Sequence, residues 1–122
     1  MELNELTEKI IGCCIEVHRN LGPGLLESVY ESALSIELKN IQIPFERQKI
    51  LPVLYKGERI GDFKIDLSVD KRVVVELKSV ERFDPVFEAQ ILSYMKLGNY
   101  KLGLLVNFNS KLLKNGIKRF II

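Results

Sequence analysis

Apolar residues recur every three or four positions through residues 1–40, which is the spacing of one face of an α-helix. The first such stretch predicts a helix that ends within Asn20–Gly24, because Gly22-Pro23-Gly24 supplies a left-handed cap position and a helix breaker. A second helix is predicted from about Leu25 to Lys39. The residues expected to face the core are Leu3, Leu6, Ile10, Cys14, Val17 and Leu21 in the first helix, and Leu26, Val29, Ala33 and Ile36 or Leu38 in the second.

Beyond residue 42 the pattern changes to an alternation of apolar and polar residues, which predicts strands. Ile43–Leu54 is the first strand, and its prolines Pro44 and Pro52 favour the edge of a sheet. A turn at Lys56-Gly57 leads into a second strand, Arg59–Val69. The faces of this strand are expected to carry Phe63, Ile65, Leu67 and Val69 on one side, and Asp62, Lys64, Asp66 and Ser68 on the other.

Buried apolar runs and turn residues predict the remaining elements. After a tight turn near Asp70-Lys71, Arg72–Ser79 has the continuous apolar run of a strand that is buried on both faces. Asp84 and Pro85 predict the N-cap and first residue of a helix that runs to about Leu97. The last predicted features are Gly98 closing that helix, a buried strand Lys101–Phe108, a helical turn around Lys111–Lys114, an Asn115-Gly116 turn and a strand Ile117–Ile122.

These elements predict one α/β domain over residues 1–122, with a mixed β-sheet flanked by helices in the order α-α-β-β-β-α-β-β. At this length and 47% apolar content, the chain can form a core without disulfides or a structural metal. Cys13 and Cys14 are adjacent in a helical pattern and cannot join distant segments, which favours a cytoplasmic protein. No apolar run approaches the roughly 18 residues of a membrane span, so no membrane partner is expected.

Several classes of enzyme are excluded by what the sequence lacks. It contains no Cys/His cluster of zinc spacing, no phosphate-cradling glycine loop and a single histidine, His18. These absences exclude zinc ribbons, P-loop enzymes and an ordinary Ser-His-Asp site.

Charge is unevenly distributed behind the net value of +2. Residues 1–40 carry a net charge of −4 and residues 41–122 carry +6. All of that surplus lies in residues 96–122, which contain six basic residues and no acidic residue. Such a segment suits a polyanion such as a nucleic acid, although a solvated lysine-rich edge has the same sequence pattern. The six bases are Lys96, Lys101, Lys111, Lys114, Lys118 and Arg119.

Two charged residues interrupt a strand that is otherwise predicted to be buried. Glu76 and Lys78 lie two positions apart, so their side chains share one face. The preceding strand offers Asp66 on its polar face. Two carboxylates and a lysine on adjacent strands can form a divalent-cation site with a cationic helper. The alternative is a buried ion pair of Lys78 with Glu76 or Asp66 that holds no metal.

The register of this hairpin decides whether the two carboxylates share a face. Asp66 and Glu76 do so only if the residue numbers of paired positions have an even sum. A two-residue loop at 70–71 gives an odd sum and points them to opposite faces. The metal site therefore requires a three- or five-residue loop, or a β-bulge.

The arrangement of Asp66 followed by Glu76-Leu77-Lys78 resembles the D…ExK signature of the PD-(D/E)XK nuclease superfamily. The segment Gly24-Leu25-Leu26-Glu27-Ser28-Val29-Tyr30 is similar to the motif that names the GxxExxY protein family, a branch of that superfamily. Three further stretches look like that family, so that the resemblance runs along essentially the whole chain. They are the segments 18–24, 90–94 and 102–108.

The resemblance implies a restriction-endonuclease-like fold and a Mg²⁺- or Mn²⁺-dependent nuclease that hydrolyses phosphodiester bonds with a metal-activated water. It implies that Asp66, Glu76 and the carbonyl group of Leu77 are metal ligands and that Lys78 is the catalytic lysine. Glu27 looks like the additional acid that some branches bring to the metal.

The resemblance extends to the helix that follows the signature. Gln90 and Tyr94 lie four apart on one helix face and look like a pair that lines the active site in exonuclease-like relatives. The sequence departs from the superfamily name at Ile65, which stands where the name has proline. The implied partner is a nucleic acid, with DNA favoured over RNA, and a second copy of the chain or a partner protein is expected to select the target.

Each assignment has an alternative. Glu27 can be an exposed helix acid, Gln90 and Tyr94 an ordinary amphipathic boundary, and His18 a helix-end histidine that interacts with the helix dipole. Tyr30 is expected to pack or to support the site. The whole domain can also be a non-catalytic module that binds nucleic acid or assembles with other proteins, or an interaction domain whose C-terminal lysines meet an acidic protein.

Overall fold

The computed structural model describes all 122 residues. Its elements follow one another in the predicted order, and the helical turn predicted around Lys111–Lys114 is a short 3₁₀ helix that begins two residues later. They are α1 (Leu3–Leu21), α2 (Glu27–Asn40), β1 (Phe45–Tyr55), β2 (Glu58–Val69), β3 (Val73–Lys78), α3 (Pro85–Gly98), β4 (Leu102–Asn107), the 3₁₀ helix Leu113–Gly116 and β5 (Ile117–Ile121).

The five strands form a single sheet in the order β1-β2-β3-β4-β5. β1, β2 and β3 are antiparallel, β3 and β4 are parallel, and β5 returns antiparallel to β4. The parallel pair needs a crossover connection, which α3 supplies. The predicted mixed sheet flanked by helices is therefore confirmed. β1 is an edge strand, which accommodates Pro52 because an edge position can lack a backbone donor.

Each face of the sheet has its own hydrophobic core. The larger core joins α1 and α2 to one face of the central strands, and the smaller core joins α3 to the other face. In β3, Val73 and Val75 belong to the larger core and Val74 to the smaller one. This strand is buried on both faces, as its apolar run predicts. No helix is both long enough and apolar enough to span a membrane.

The predicted inner face of α2 is wrong at three positions, although Ala33 packs against the larger core as predicted. Leu26, Val29 and Ile36 are 74%, 41% and 59% exposed, and the buried residues of this helix include Tyr30 and Leu34. Leu38, which was one of two alternatives for the last inward position, is buried. The helix carries two apolar stripes, and the stripe that contains Tyr30 faces the core. The Tyr30 ring stacks on the buried ring of Phe108, the residue after β4, with ring centres 4.3 Å apart.

The prediction that the four apolar residues of β2 share one face is wrong, because the strand changes face between Ile65 and Leu67. Leu67 and Val69 belong to the core beneath α1 and α2, whereas Ile65 belongs to the core beneath α3. The change of face coincides with a gap in the ladder between β1 and β2, which skips the pair Gln48–Asp66. Gln48 has a left-handed backbone with φ of 48°, and such a residue locally reorients a strand.

The hairpin between β2 and β3 has the register that the predicted metal site requires. Asp70 and Lys71 form the tight turn, with φ of 54° and 57°, and Arg72 is an extra residue before the ladder starts. Val69 pairs with Val73, so the loop has three residues and the paired numbers have an even sum. Asp66 therefore lies opposite Glu76 where the ladder would continue.

The ends of α3 agree with the prediction at its start and differ at its finish. The Asp84 side chain accepts a hydrogen bond from Val86 N at 2.9 Å, and Pro85 is the first helical residue. The left-handed cap is Asn99, with φ of 59°, and not Gly98. Gly98 is instead required by the close approach of the Tyr100 ring.

We expect Gly98→Ala to destabilise the protein by about 1–3 kcal/mol, because overpacking a filled site displaces its neighbours. A Cβ at residue 98 would lie 2.5 Å from Tyr100 Cε2, and the Tyr100 hydroxyl is held by Ser68 at 2.7 Å. Gly12→Ala is the control on the exposed face of α1, with nothing within 4 Å, and should stabilise by roughly 0.5–1 kcal/mol. Denaturant unfolding measures both changes, and a Gly98→Ala protein as stable as wild type would contradict this packing account.

Candidate active site

The centre of the candidate site is the point where β2 and β3 separate. The ladder between these strands ends at the pair Leu67–Val75, and side chains replace it at the next pair. Asp66 N donates to Glu76 Oε2 at 2.7 Å, and Leu77 N donates to Asp66 Oδ2 at 2.8 Å. The two carboxylates thus occupy the gap between the strands, each held by a backbone N–H of the other strand.

Burial and mutual repulsion disfavour two charges in this gap. Glu76 is only 6% exposed, and burial together with the charge of Asp66 raises its pKa to about 8. Burial also raises the pKa of Asp66, although hydrogen bonds from Leu77 and Gln48 oppose the rise. A bound divalent cation would compensate both carboxylates at once, because it favours their charged forms.

Lys78 lies half-buried on the same strand face as Glu76 but forms a salt bridge with neither carboxylate. Its Nζ atom lies 4.4 Å from the centre of the Phe87 ring, a residue in the first turn of α3. The contact is a cation–π interaction, which holds an ammonium group while leaving its donors available. The alternative of a closed ion pair without metal is not the arrangement in this structure.

The loop before α2 is folded around Tyr30. The Tyr30 hydroxyl donates to Gly22 O at 2.6 Å and accepts from Leu25 N at 3.1 Å. Gly22 and Gly24 have φ of 71° and 95°, a region that glycine adopts most readily. Tyr30 is fully buried and its hydroxyl is used by this loop, so it supports the loop and forms no hydrogen bond with Asp66 or Glu76.

This loop joins the start of α2 to the end of β3. Ser79 Oγ donates to Leu25 O at 2.7 Å, and Ser79 N donates to Glu27 Oε2 at 3.4 Å. Glu27 is exposed, and its charge contributes to raising the pKa of Glu76. Glu27 therefore lies beside the end of β3 and lines a cavity with Asp66, but it does not form a three-acid cluster with Asp66 and Glu76.

Two site residues were missed by the sequence analysis. Glu31 and Gln48 line a cavity of about 320 Å³ together with Glu27, Ser28 and Asp66. Glu31 lies one helical turn beyond Glu27, and this four-residue spacing was a signal that could have identified it. No pattern marks Gln48, because its position depends on the left-handed backbone inside β1.

The two predicted residues of α3 differ in their relation to the site. Tyr94 packs on Phe63 with ring centres 5.0 Å apart. Burial and the charges of Glu76 and Asp66 raise the pKa of Tyr94, which places its hydroxyl within their electrostatic influence. Gln90 lies one turn earlier and is exposed, with no hydrogen bond to a site residue.

His18 has a structural contact at the same end of the sheet. Its Nε2 atom lies 2.7 Å from Ser110 O, in the segment after β4, and its ring lies 6.4 Å from that of Phe108. The contact joins the end of α1 to this segment, and no hydrogen bond connects His18 to Asp66 or Glu76. The helix-end alternative for His18 therefore agrees with its surroundings.

The six C-terminal bases do not form one surface, in contrast to the predicted patch. Leu102 pairs with Val73 at the start of β3, whereas Lys78 lies at the end of β3. Lys101, which precedes Leu102, therefore lies at the end of the sheet remote from Lys78. Lys118 forms a salt bridge with Glu88 at 3.3 Å, whereas Arg119, its neighbour in β5, donates to Asn4 on α1. The alternation of β5 sends these two side chains to opposite faces.

Among the other bases, Lys96 lies in the last turn of α3, which leads back to the remote end of the sheet. Lys111 and Lys114 follow β4 at the end where Asn107 pairs with Lys78. These two are therefore the members of the predicted set at the site end of the sheet.

We call the gap between β2 and β3 that holds Asp66 and Glu76 the fork. Its oxygen ligands fit a hard divalent cation. Asp66 and Glu76 offer carboxylate oxygens, and Mg²⁺ in phosphoryl-transfer sites is commonly held by one or two carboxylates together with water and substrate phosphate. No three His, Cys, Asp or Glu side chains form a preformed metal-binding group. An open two-carboxylate site that is completed by solvent and substrate matches this arrangement.

Comparison with known proteins identifies the family. The profile of the PD-(D/E)XK nuclease superfamily matches residues 4–120, nearly the whole chain, so the protein belongs to this superfamily. No curated protein matches it significantly, and no solved structure does. Members of the superfamily are nucleases that generally use divalent metals such as Mg²⁺.

We expect Glu76→Gln to raise the unfolding temperature of the metal-free protein by a few degrees, because it removes an acid whose ionisation is disfavoured in the folded state by burial and by the charge of Asp66. Addition of Mg²⁺ should reverse the order. A cation at about 100 times its Kd stabilises wild type by about 2.7 kcal/mol, and the variant should gain far less.

Thermal unfolding in chelator and in Mg²⁺ measures both effects. The matched control is Glu58→Gln at the exposed start of β2, which should follow wild type in both solutions. A Glu76→Gln protein that gains as much from Mg²⁺ as wild type does would exclude Glu76 as a ligand.

Proposed function

We propose that the protein is a divalent-metal-dependent nuclease that hydrolyses phosphodiester bonds of a nucleic acid. The observation that carries this proposal is the fork of β2 and β3, where Asp66 and Glu76 share a gap beside Lys78. Membership of the PD-(D/E)XK superfamily supports the same reaction class. The similarity of the Gly24–Tyr30 segment to the GxxExxY motif further suggests that branch.

The carboxylates of Asp66 and Glu76 would hold Mg²⁺ or Mn²⁺, with the carbonyl group of Leu77 as a further ligand. When bound, the metal polarises the scissile phosphate and lowers the pKa of a coordinated water. Glu27, which the Ser79 backbone holds beside the fork, would complete the ligand set through its carboxylate.

Lys78 would act on the phosphate or on the attacking water. Its ammonium group is held by the Phe87 ring and has no carboxylate partner, so its donors remain available. A fixed cation at this place offsets the negative charge that develops in the transition state. Tyr94 and Gln90 would line the site from α3, with Tyr94 close enough to be influenced by both carboxylates.

The nucleic acid would be held mainly through its phosphates. Lys111 and Lys114 lie at the site end of the sheet and suit such contacts, which position a backbone without reading sequence. Lys96, Lys101, Lys118 and Arg119 lie further away or are engaged by other residues. DNA is the preferred substrate to test, with RNA beside it, and a second copy or a partner protein would select the target.

We expect Lys78→Ala to lower cleavage by roughly 100-fold or more, because it removes transition-state stabilisation, while the affinity for Mn²⁺ changes little. Glu76→Ala should lose both cleavage and metal binding. The assay is a panel of duplex, single-stranded and branched DNA and of RNA with Mn²⁺, in which Glu76→Ala also controls for contaminating nucleases.

Lys101→Ala is the matched lysine control, since Lys101 lies at the remote end of the sheet, and its cleavage should resemble that of wild type. Undiminished cleavage by Lys78→Ala would remove the role assigned to this lysine. A wild-type protein that binds Mn²⁺ and nucleic acid but cleaves none of the panel would instead favour the non-catalytic module.

A further inference from the structure

Gln48 has an unusual backbone conformation for the interior of a strand. Its φ of 48° lies in the left-handed region, which costs a residue with a side chain about 1–2 kcal/mol. The ladder between β1 and β2 skips Gln48 and its partner Asp66, although it is intact on both sides. Such conformations persist where surrounding contacts hold them, and they concentrate at functional sites.

The side chain of Gln48 bridges two carboxylates through a single nitrogen. Its Nε2 atom donates to Glu31 Oε1 at 2.5 Å and to Asp66 Oδ1 at 3.3 Å. Because both partners accept hydrogen bonds, the amide must present its N–H₂ end to them. The amide of Gln48 therefore has one orientation that satisfies both contacts.

Glu31 is a fixed anchor for this amide. It is 7% exposed, and Arg47 Nε donates to its other oxygen at 3.0 Å. Arg47 is held in turn by Ser32 Oγ at 3.0 Å. Glu31 is thus paired with an arginine on β1 through one oxygen, which leaves its Oε1 atom as an acceptor for Gln48.

The two oxygens of Asp66 consequently have separate donors. Leu77 N donates to Oδ2 from β3, and Gln48 Nε2 donates to Oδ1 from β1. Donors on both oxygens hold the plane of a carboxylate more firmly than a single donor does. A carboxylate that is oriented in advance binds a metal more tightly, because less conformational entropy is lost.

We propose that Gln48 is a positioning residue that orients Asp66 for the metal, with Glu31 as the anchor that holds Gln48. This role rests on the proposed function of the site. Outer-shell partners of metal ligands typically contribute 10- to 100-fold to metal affinity or activity. Gln48 acts only through Asp66 and is not assigned any contact with the substrate.

The test is Gln48→Met, which keeps the length of the side chain and removes its donors. We expect Mn²⁺ affinity, measured by titration calorimetry without nucleic acid, to fall roughly 10-fold or more, and kcat with saturating Mn²⁺ to fall as well. Gln42→Met is the matched control, because Gln42 is exposed and also has a left-handed backbone, with φ of 60°. This control should bind Mn²⁺ as wild type does.

A double-mutant cycle with Glu31→Gln separates positioning from a general effect on folding. If Glu31 acts through Gln48, Gln48→Met with Glu31→Gln should lose little more Mn²⁺ affinity than Gln48→Met alone. Should Gln48→Met fail to fold, Gln48→Asn replaces it, since asparagine tolerates the left-handed region and is too short to bridge both carboxylates.

The outcomes distinguish this proposal from the function on which it rests. A wild-type protein that binds no Mn²⁺ and cleaves nothing overturns the proposed function and this role with it. A wild type that binds Mn²⁺, with folded Gln48 variants that bind within about 2-fold of it, overturns the positioning role alone. Strictly additive losses in the cycle would likewise remove Glu31 as the anchor.

Discussion

The structure depends on a pair of carboxylates that occupy the place of a β-ladder. Asp66 and Glu76 accept hydrogen bonds from backbone N–H groups across the gap between β2 and β3, so the separated strands keep their donors satisfied. The same exchange buries two acids side by side, which raises the pKa of both. Burial and mutual repulsion therefore make it costly to ionise both acids of the fork, and a divalent cation would favour their charged forms, which is the physical link of the fork to function.

Neighbouring elements converge on this fork from three directions. The loop that Tyr30 folds brings the start of α2, with Glu27, to the end of β3. β1 contributes Gln48 through a left-handed residue at the one pair that the ladder skips. α3 covers the opposite side and holds Lys78 by the ring of Phe87. Each of these contacts places a polar group beside the gap, where the strands of a regular sheet would be joined by backbone hydrogen bonds.

The sequence allowed prediction of the element order and the mixed sheet, because these follow from local periodicity and turn residues. It left the register of Asp66 and Glu76 open, because a two-residue loop at Asp70-Lys71 would give an odd sum and only the structure shows Arg72 as the third loop residue. It could not identify the inward stripe of α2, since Ile36 and Leu34 are both strongly apolar and only tertiary packing separates them. The role of Gln48 could not be predicted for a related reason. A left-handed residue within a strand leaves no mark on the alternating pattern of apolar and polar residues. The six C-terminal bases do not form the predicted patch. The alternation of β5 points Lys118 and Arg119 to opposite faces, and α3 carries Lys96 to the end of the sheet remote from Lys78.

The most direct test of this account is a crystal structure of the wild-type protein with Mn²⁺, in which anomalous scattering locates the metal. The account predicts one Mn²⁺ between β2 and β3, coordinated by carboxylate oxygens of both Asp66 and Glu76. A structure at saturating Mn²⁺ in which the metal lies elsewhere or is absent, with neither carboxylate coordinating it, would contradict it.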